Sequence, residues 1–153
     1  MNKKIFSLPF LLSLFLLNSG FFFKPKLRAF TCGDDIFLSN SNQELLKIKE
    51  EILIFDNKGN SYQYDYASKK VSPEKIKVIQ GVNLYLEKSY IEGSKFYLDY
   101  NVTMYNVPAT MQFILDYDRK TFNSSYTIYG STQYNGTVNC KELKFPKDTK
   151  FEY

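Results

Sequence analysis

Histidine and tryptophan are absent from this chain, and cysteine occurs only twice. Without histidine there is no Ser-His-Asp or Cys-His nucleophile pair and no imidazole metal ligand. Lysine-activated serine is left as a formal option, but the S-x-x-K stretch Ser72-Pro73-Glu74-Lys75 lacks a helical setting. The cysteines form no C-x-x-C pair, which removes the usual basis for thiol-exchange catalysis. Internal repeats, a low-complexity linker and a long helical pattern are also missing. Clustered basic charge is missing too, once the chain is divided. Lys3, Lys4, Lys24, Lys26 and Arg28 all precede Phe30, and the remaining 15 basic side chains face 16 acidic ones. A domain starting near Phe30 therefore carries roughly −1, despite the +4 of the whole chain. Nucleic-acid binding needs clustered Lys and Arg to displace counterions from phosphates, so that class is set aside.

What is present begins with the leader. Lys3 and Lys4 precede an almost entirely apolar run over residues 5–23, the layout of a bacterial export signal. Cleavage is expected either after the small residues Ser19 or Gly20, or after Leu27-Arg28-Ala29. The competing reading is an uncleaved inner-membrane anchor over residues 5–23. About nineteen residues just suffice to span a bilayer, but Pro9, Asn18, Ser19 and Gly20 interrupt the run. Lys24, Lys26 and Arg28 would also favour keeping the following domain on the cytoplasmic side. The expectation is a signal peptide over residues 1–29, or an N-terminal membrane anchor there, followed by one domain over 30–153. That domain would be periplasmic or extracellular. At roughly 125 residues it is a normal single-domain size.

Export gives the two cysteines a meaning. In an oxidising compartment an isolated pair is most simply a disulfide. A Cys32–Cys140 bond would close a loop of about 109 residues, tie the first strand to the last, and stabilise the fold by about 4–5 kcal/mol in the chain-entropy model. The alternative is two buried free thiols.

The rest of the chain reads as strand. Asp35-Ile36-Phe37-Leu38 is expected to be the first. Ser41 to Glu44 fits a capping box, while Leu46, Ile48, Ile52 and Ile54 favour extended chain. Asp56 to Asn60 is a turn, followed by Tyr62, Tyr64 and Tyr66 in alternation. Ser72-Pro73-Glu74 breaks that strand. Ile76 to Val78 and Leu84 to Ile91 follow, with a turn at Glu92-Gly93-Ser94. Phe96, Leu98, Tyr100, Val102 and Met104 then oppose Tyr97, Asp99, Asn101, Thr103 and Tyr105, up to a break at Pro108. Met111, Phe113, Leu115 and Tyr117 share the next face. Phe122, Ser124, Tyr126 and Ile128 share another, and Tyr134, Gly136, Val138 and Cys140 a last one, turning Cys140 inward. Strict alternation with polar opposite faces marks half-buried antiparallel strands. The fold class is mainly β: a single antiparallel meander of about seven or eight strands, as a small barrel or a sandwich. The charged tail after Lys144 is expected to fray.

Tyr62 to Lys70, Asp118 to Thr121 and Tyr134 to Cys140 resemble segments of small, leader-bearing, β-rich cyanobacterial proteins, in which a final hairpin also ends in a Gly-Thr-x-Cys-like strand. The resemblance implies the topology and carries no activity.

The remaining candidates for chemistry are carboxylates. Asp116 and Asp118 lie two residues apart and would need a cleft to act as an acid/base pair; as a strand end and turn they need nothing. Asp34-Asp35 is read as a loop. Asp56 to Asn60 has the look of a calcium loop, but lysine holds the third position and glycine comes too early. Asn101, Asn123 and Asn135 open N-x-S/T sequons and are read as polar strand faces. No catalytic residue, metal site or cofactor is assigned. The surface candidate is tyrosine: Tyr62, Tyr64 and Tyr66, with Tyr97 and Tyr105. Tyrosine gives large contact area at small entropic cost, although cross-strand packing uses it equally well. The expectation is an exported, non-enzymatic β domain that binds a small apolar ligand or an envelope partner. A carboxylate-dependent hydrolase and a secreted inhibitor- or toxin-like factor are the alternatives.

Overall fold

The computed structural model describes residues 24–33, 35–38, 44–48, 51–79, 81–104, 106–134 and 137–153. The apolar run 5–23, the Ser41 cap, Asp34, Tyr105 and Asn135 lie outside them. The described residues form fourteen strands and no helix: β1 (Arg28–Cys32), β2 (Asp35–Leu38), β3 (Glu44–Ile48), β4 (Glu51–Phe55), β5 (Ser61–Asp65), β6 (Lys70–Pro73), β7 (Ile76–Ile79), β8 (Val82–Glu92), β9 (Lys95–Met104), β10 (Val107–Asp116), β11 (Thr121–Ile128), β12 (Ser131–Tyr134), β13 (Val138–Leu143) and β14 (Lys150–Phe151). Twelve join one sheet in the order β14-β6-β5-β4-β1-β13-β11-β10-β9-β8-β7, with β12 added beside β11. β2 and β3 form a separate hairpin.

The all-β expectation holds, but its count and connectivity need correction. The sheet has twelve strands rather than seven or eight. It is mixed, because β14 runs parallel to β6. It is a curled half-barrel rather than a simple meander. Two meanders, β4-β5-β6 and β7 to β11, are joined by β1, which pairs antiparallel with both β4 and β13. Residues of positive φ subdivide the chain more finely than its hydrophobic pattern shows. Tyr129 and Gly130 (φ 51° and 75°) make a two-residue turn that sends β12 back along β11. Lys69 and Lys120 occupy the same left-handed region at other turns.

Strand β1, missed in the sequence because it abuts the leader, alternates in a way that explains its central place. Phe30 and Cys32 face the main core, and Ala29 faces a second, smaller one. The main core collects Phe30, Leu53, Phe55, Phe96, Leu98, Phe113 and Phe122 from both halves of the sheet, each at most 2% exposed. Each such side chain contributes about 1.5–3 kcal/mol on leaving water. Phe55 of β4 stacks on Phe96 of β9 at 4.4 Å, which shows how far the sheet curls. The second cluster, Ala29, Ile54, Tyr62 and Val71, lies on the opposite face. It is covered by the tail that was expected to fray. Phe145 packs on it, β14 adds to β6, and Lys69 and Lys70 pair with Asp148 and Glu152. Phe145 and Phe151 meet edge to face at 5.4 Å, and the tail's own carboxylates help to hold it in place.

Cys32 and Cys140 are bonded, directly opposite each other in the β1–β13 ladder with Cα atoms 4.1 Å apart. They occupy a non-hydrogen-bonded pair, where side chains stand closest; the flanking Gly33 N–H donates to the Asn139 carbonyl. Pro108, expected to end a strand, is instead the second residue of β10. Pairing with β11 begins only at Ala109, so the missing proline N–H costs no ladder bond on that side.

The two flanks meet backbone to backbone at Gly59. It has a φ of +83°, and a Cβ there would lie 2.8 Å from Tyr90 Cα and the Ile91 nitrogen. Gly81 has nearly the same φ, +79°, but open space around it. We expect Gly81→Ala to cost about 1–2 kcal/mol from the left-handed backbone alone. Gly59→Ala should cost about 1–3 kcal/mol more from overpacking. Urea unfolding of the two variants reads the difference; equal costs would mean that the flanks do not touch.

Candidate functional site

The structure distributes the candidate tyrosines over different environments. Tyr62 is buried in the second cluster, where its hydroxyl donates to Asp56 Oδ2 at 3.2 Å. Burial, and then the Asp56 carboxylate, push its pKa up to about 12. Asp56 itself shapes the hairpin, accepting from the Lys58 and Asn60 backbone N–H groups and from Asn60 Nδ2. Burial works against its ionised form, but these hydrogen bonds hold its pKa below the ordinary 3.8. The segment is thus a capped turn, as its spacing indicated. Tyr64 and Tyr66 meet edge to face at 5.0 Å. With Ala29, Ile52, Ile54, Leu143 and Phe145 they line an apolar groove of about 210 Å³. Tyr97 stacks on Tyr90 at 4.7 Å on the outer face of β8 and β9. Tyr105 lies outside the described residues.

Asp116 is buried and serves the turn after β10, its Oδ1 accepting from the Arg119 N–H at 2.9 Å, while Asp118 is exposed. The buried carboxylates that do come together are Glu51 and Glu74. Lys77 Nζ bonds Glu51 Oε1 and lies 3.7 Å from Glu74 Oε1. Tyr100 donates to Glu74 Oε1 at 2.6 Å, and Ser61 to Oε2 at 2.8 Å. These groups come from β4, β5, β7, β9 and the β6–β7 link, and so bridge the two flanks of the sheet. Burial pushes Glu51 above the ordinary 4.5, and Lys77 only partly offsets this. Burial alone would lower Lys77, but the two glutamates outweigh it and hold its pKa above 10.5. Burial, then Glu74, raise Tyr100 well above 10. Two carboxylates around one ammonium favour the protons held by Lys77 and Tyr100. Alternation contained a signal for it: Glu51 is in phase with Leu53 and Phe55, and Lys77 with Ile79, all core-facing.

The open site is on the other side of the sheet. A cleft of about 710 Å³ crosses the outer faces of β8 to β12. Register places five of its lining residues in one cross-strand row: Lys88 opposite Asp99, Asp99 opposite Gln112, Gln112 opposite Ser125, and Ser125 opposite Tyr134. A flanking row holds Thr110, Thr127 and Thr132. Gln112 Nε2 donates to Asp99 Oδ1 at 2.8 Å, and the Thr127 and Thr132 hydroxyls bond at 2.8 Å. Tyr134 was expected to face inward with Cys140. It is 82% exposed instead, because β12 is a separate arm whose phase is set by β11. Ligand sites commonly occupy about 300–1,000 Å³, a range that admits the outer cleft and excludes the apolar groove.

Among the described residues no group of three or more His, Cys, Asp or Glu side chains is placed to hold a metal ion. No protein-family model, curated protein or solved structure matches the chain.

Two outcomes are expected of the buried cluster. Lys77→Met leaves two carboxylates buried without their cation and should cost about 3–5 kcal/mol in urea unfolding. The second concerns alkali. Unfolded Tyr62 and Tyr100 would ionise near pH 10.0 and Lys77 near 10.5, while the fold holds all three protons to higher pH. The stability they contribute is complete below pH 10.0 and is lost as pH rises toward about 12. A melting series across that range should fall steeply; a flat profile would exclude the raised values.

Proposed function

We propose that this chain is an exported, non-enzymatic β domain that acts by binding an envelope partner through its outer cleft. The cleft across β8 to β12 carries the proposal: it is open and polar, and it lies on the part of the sheet with the longest strands. The interior is occupied by side chains. Its buried carboxylates are engaged by Lys77, Tyr100 and Ser61 rather than presented to a substrate. The Cys32–Cys140 bond is consistent with an oxidising compartment. Among the described residues no helix is long and apolar enough to cross a membrane. Residues 1–23, proposed as the leader, lie outside that description.

The fold also favours one cleavage site. Removal after Ala29 would take away a rung on which β1 depends. Ala29 pairs with Ile54 and Leu143 and is 2% exposed, and Arg28 Nε bonds Glu142 Oε1 at 2.9 Å. Cleavage after Ser19 or Gly20 keeps β1 whole. Fractionation followed by intact mass measurement should find an envelope-associated chain with oxidised cysteines that begins before Lys24. A chain beginning at Phe30 would overturn the cleavage assignment, and a cytoplasmic chain with free thiols would overturn export. Residues 5–23 retained in a membrane fraction would select the anchored form. Replacing Gln112 and Tyr134 together by alanine should release the domain from the envelope fraction; undiminished retention would remove the cleft from the function.

A further inference from the structure

We propose that the outer cleft takes a neutral, polyhydroxylated chain, an oligosaccharide segment lying across the strands. The inference rests on the reading of the cleft as the binding surface and names the chemistry it fits. The row Lys88, Asp99, Gln112, Ser125 and Tyr134 draws one side chain from each of five adjacent strands. Neighbouring strands lie about 4.8 Å apart, so the row presents a polar group at that pitch over roughly 19 Å. An extended chain of pyranose rings repeats at a similar pitch, which allows successive rings to meet successive strands.

The chemistry of the lining points the same way. Thr110 and Ser125 offer hydroxyls that both donate and accept, the bonded Thr127–Thr132 pair keeps one proton and its lone pairs for a ligand, and Gln112, which gives one N–H to Asp99, keeps its amide oxygen and a second N–H. Sugar hydroxyls need that mixture. An anionic chain would require excess positive charge, but among the described residues Lys88 is the only cation in the lining and stands beside Glu87 and Asp99. Its Nζ lies 4.4 Å from the Tyr90 ring centroid, directed toward an aromatic face. An apolar ligand would find too little apolar lining. At the end of the row Tyr134 is 82% exposed, an aromatic face free to cover the C–H side of a sugar ring. Burying such a face, together with hydrogen bonds from a rigid sheet, is an effective way to hold a ligand rich in both C–H and O–H groups.

The test uses the full mature chain with cellohexaose and chitohexaose as neutral probes and oligogalacturonate as an anionic one, followed by titration calorimetry. At least one neutral probe should bind saturably. Tyr134→Ala and Gln112→Ala should each weaken that binding roughly tenfold. Tyr66→Ala, which removes a 69% exposed tyrosine on the other half of the sheet that is not among the cleft residues, should leave it unchanged. Circular dichroism confirms that each variant is folded. Failure of both neutral probes to bind at millimolar concentration, tighter binding of the anionic probe, or equal loss in Tyr66→Ala would overturn the proposal. If the Gln112/Tyr134 double variant still leaves the envelope fraction while no sugar binds, the ligand class is wrong and the binding surface stands. If the variant is retained as before, the surface is wrong as well.

Discussion

The ladder that β1 makes with β4 and β13 is the constraint on which this sheet depends. In the strand order, everything on one side of β1 comes from β4, β5, β6 and β14, and everything on the other from β7 to β13. Among the described residues no other strand joins the two groups by a ladder. The junction is also narrow: among the described residues β13 meets β11 over two ladder pairs, Thr121 with Asn139 and Phe122 with Val138. The Cys32–Cys140 bond crosses the adjoining β1–β13 ladder, and at the β11–β13 contact itself the Cys140 N–H donates to the Lys120 carbonyl. The covalent tie acts on the unfolded chain, whose entropy it limits by closing a loop with a sequence separation of 108.

The flanks meet a second time around the curl. The first junction is built from ladder bonds and a disulfide, the second from charge and close packing. Lys77 reaches from the edge strand β7 to Glu51 on β4, with Glu74, Tyr100 and Ser61 completing the cluster, and the Gly59 turn lies against the β8 backbone. The two kinds of contact have different consequences. Apolar packing between Phe55 and Phe96 supplies driving force but tolerates sliding. A buried ammonium must meet its carboxylates at fixed positions, so the cluster sets how far the sheet curls, even where its net contribution to stability is small. Buried ions also guard the edge of β7, since a strand whose inward lysine must be neutralised is a poor template for unplanned pairing.

Much of the fold was legible, and the failures have physical reasons. The long alternating runs of β8 to β11 put Phe96, Leu98, Tyr100, Met111, Phe113 and Phe122 on the core side, where the structure has them. Those strands each bury one face, the condition under which a period of two is informative. β1 and β4 are buried on both faces, so alternation carries less there, and β1 was hidden further by its place beside the leader. Strand β14 is only two residues long, too short for any periodicity. Tyr134 was assigned to the wrong face because a single phase was carried from β13 back through residues 135 and 136 into an arm that pairs elsewhere. Glu51 and Lys77 were passed over because charge suggests solvent, although their phase with Leu53, Phe55 and Ile79 placed them inside. The disulfide was legible from count and compartment alone, and the phase of Cys140 agreed with it.

The same division of the sheet explains why the binding surface falls where it does. The half built from β1, β4, β5 and β6 has its second face occupied by Ala29, Ile54, Tyr62, Val71 and the returning tail, which leaves only a small apolar groove. The other half contains the longest strands, of 11, 10, 10 and 8 residues in β8 to β11, and no segment of the described chain covers the lining of its cleft. At this row β9, β10 and β11 are paired along both edges and hold their outward side chains at fixed spacing, with the β8 bulge between Leu86 and Lys88 at one end, so a ligand need not order the middle of the row first. The short β12 arm extends that row by one strand. It is secured on a single side by four pairs with β11 and by the bond between Thr127 and Thr132. Tyr134 thus lies at the end of the row on its least constrained strand, where an aromatic ring can adjust to a ligand that the rigid strands have already aligned.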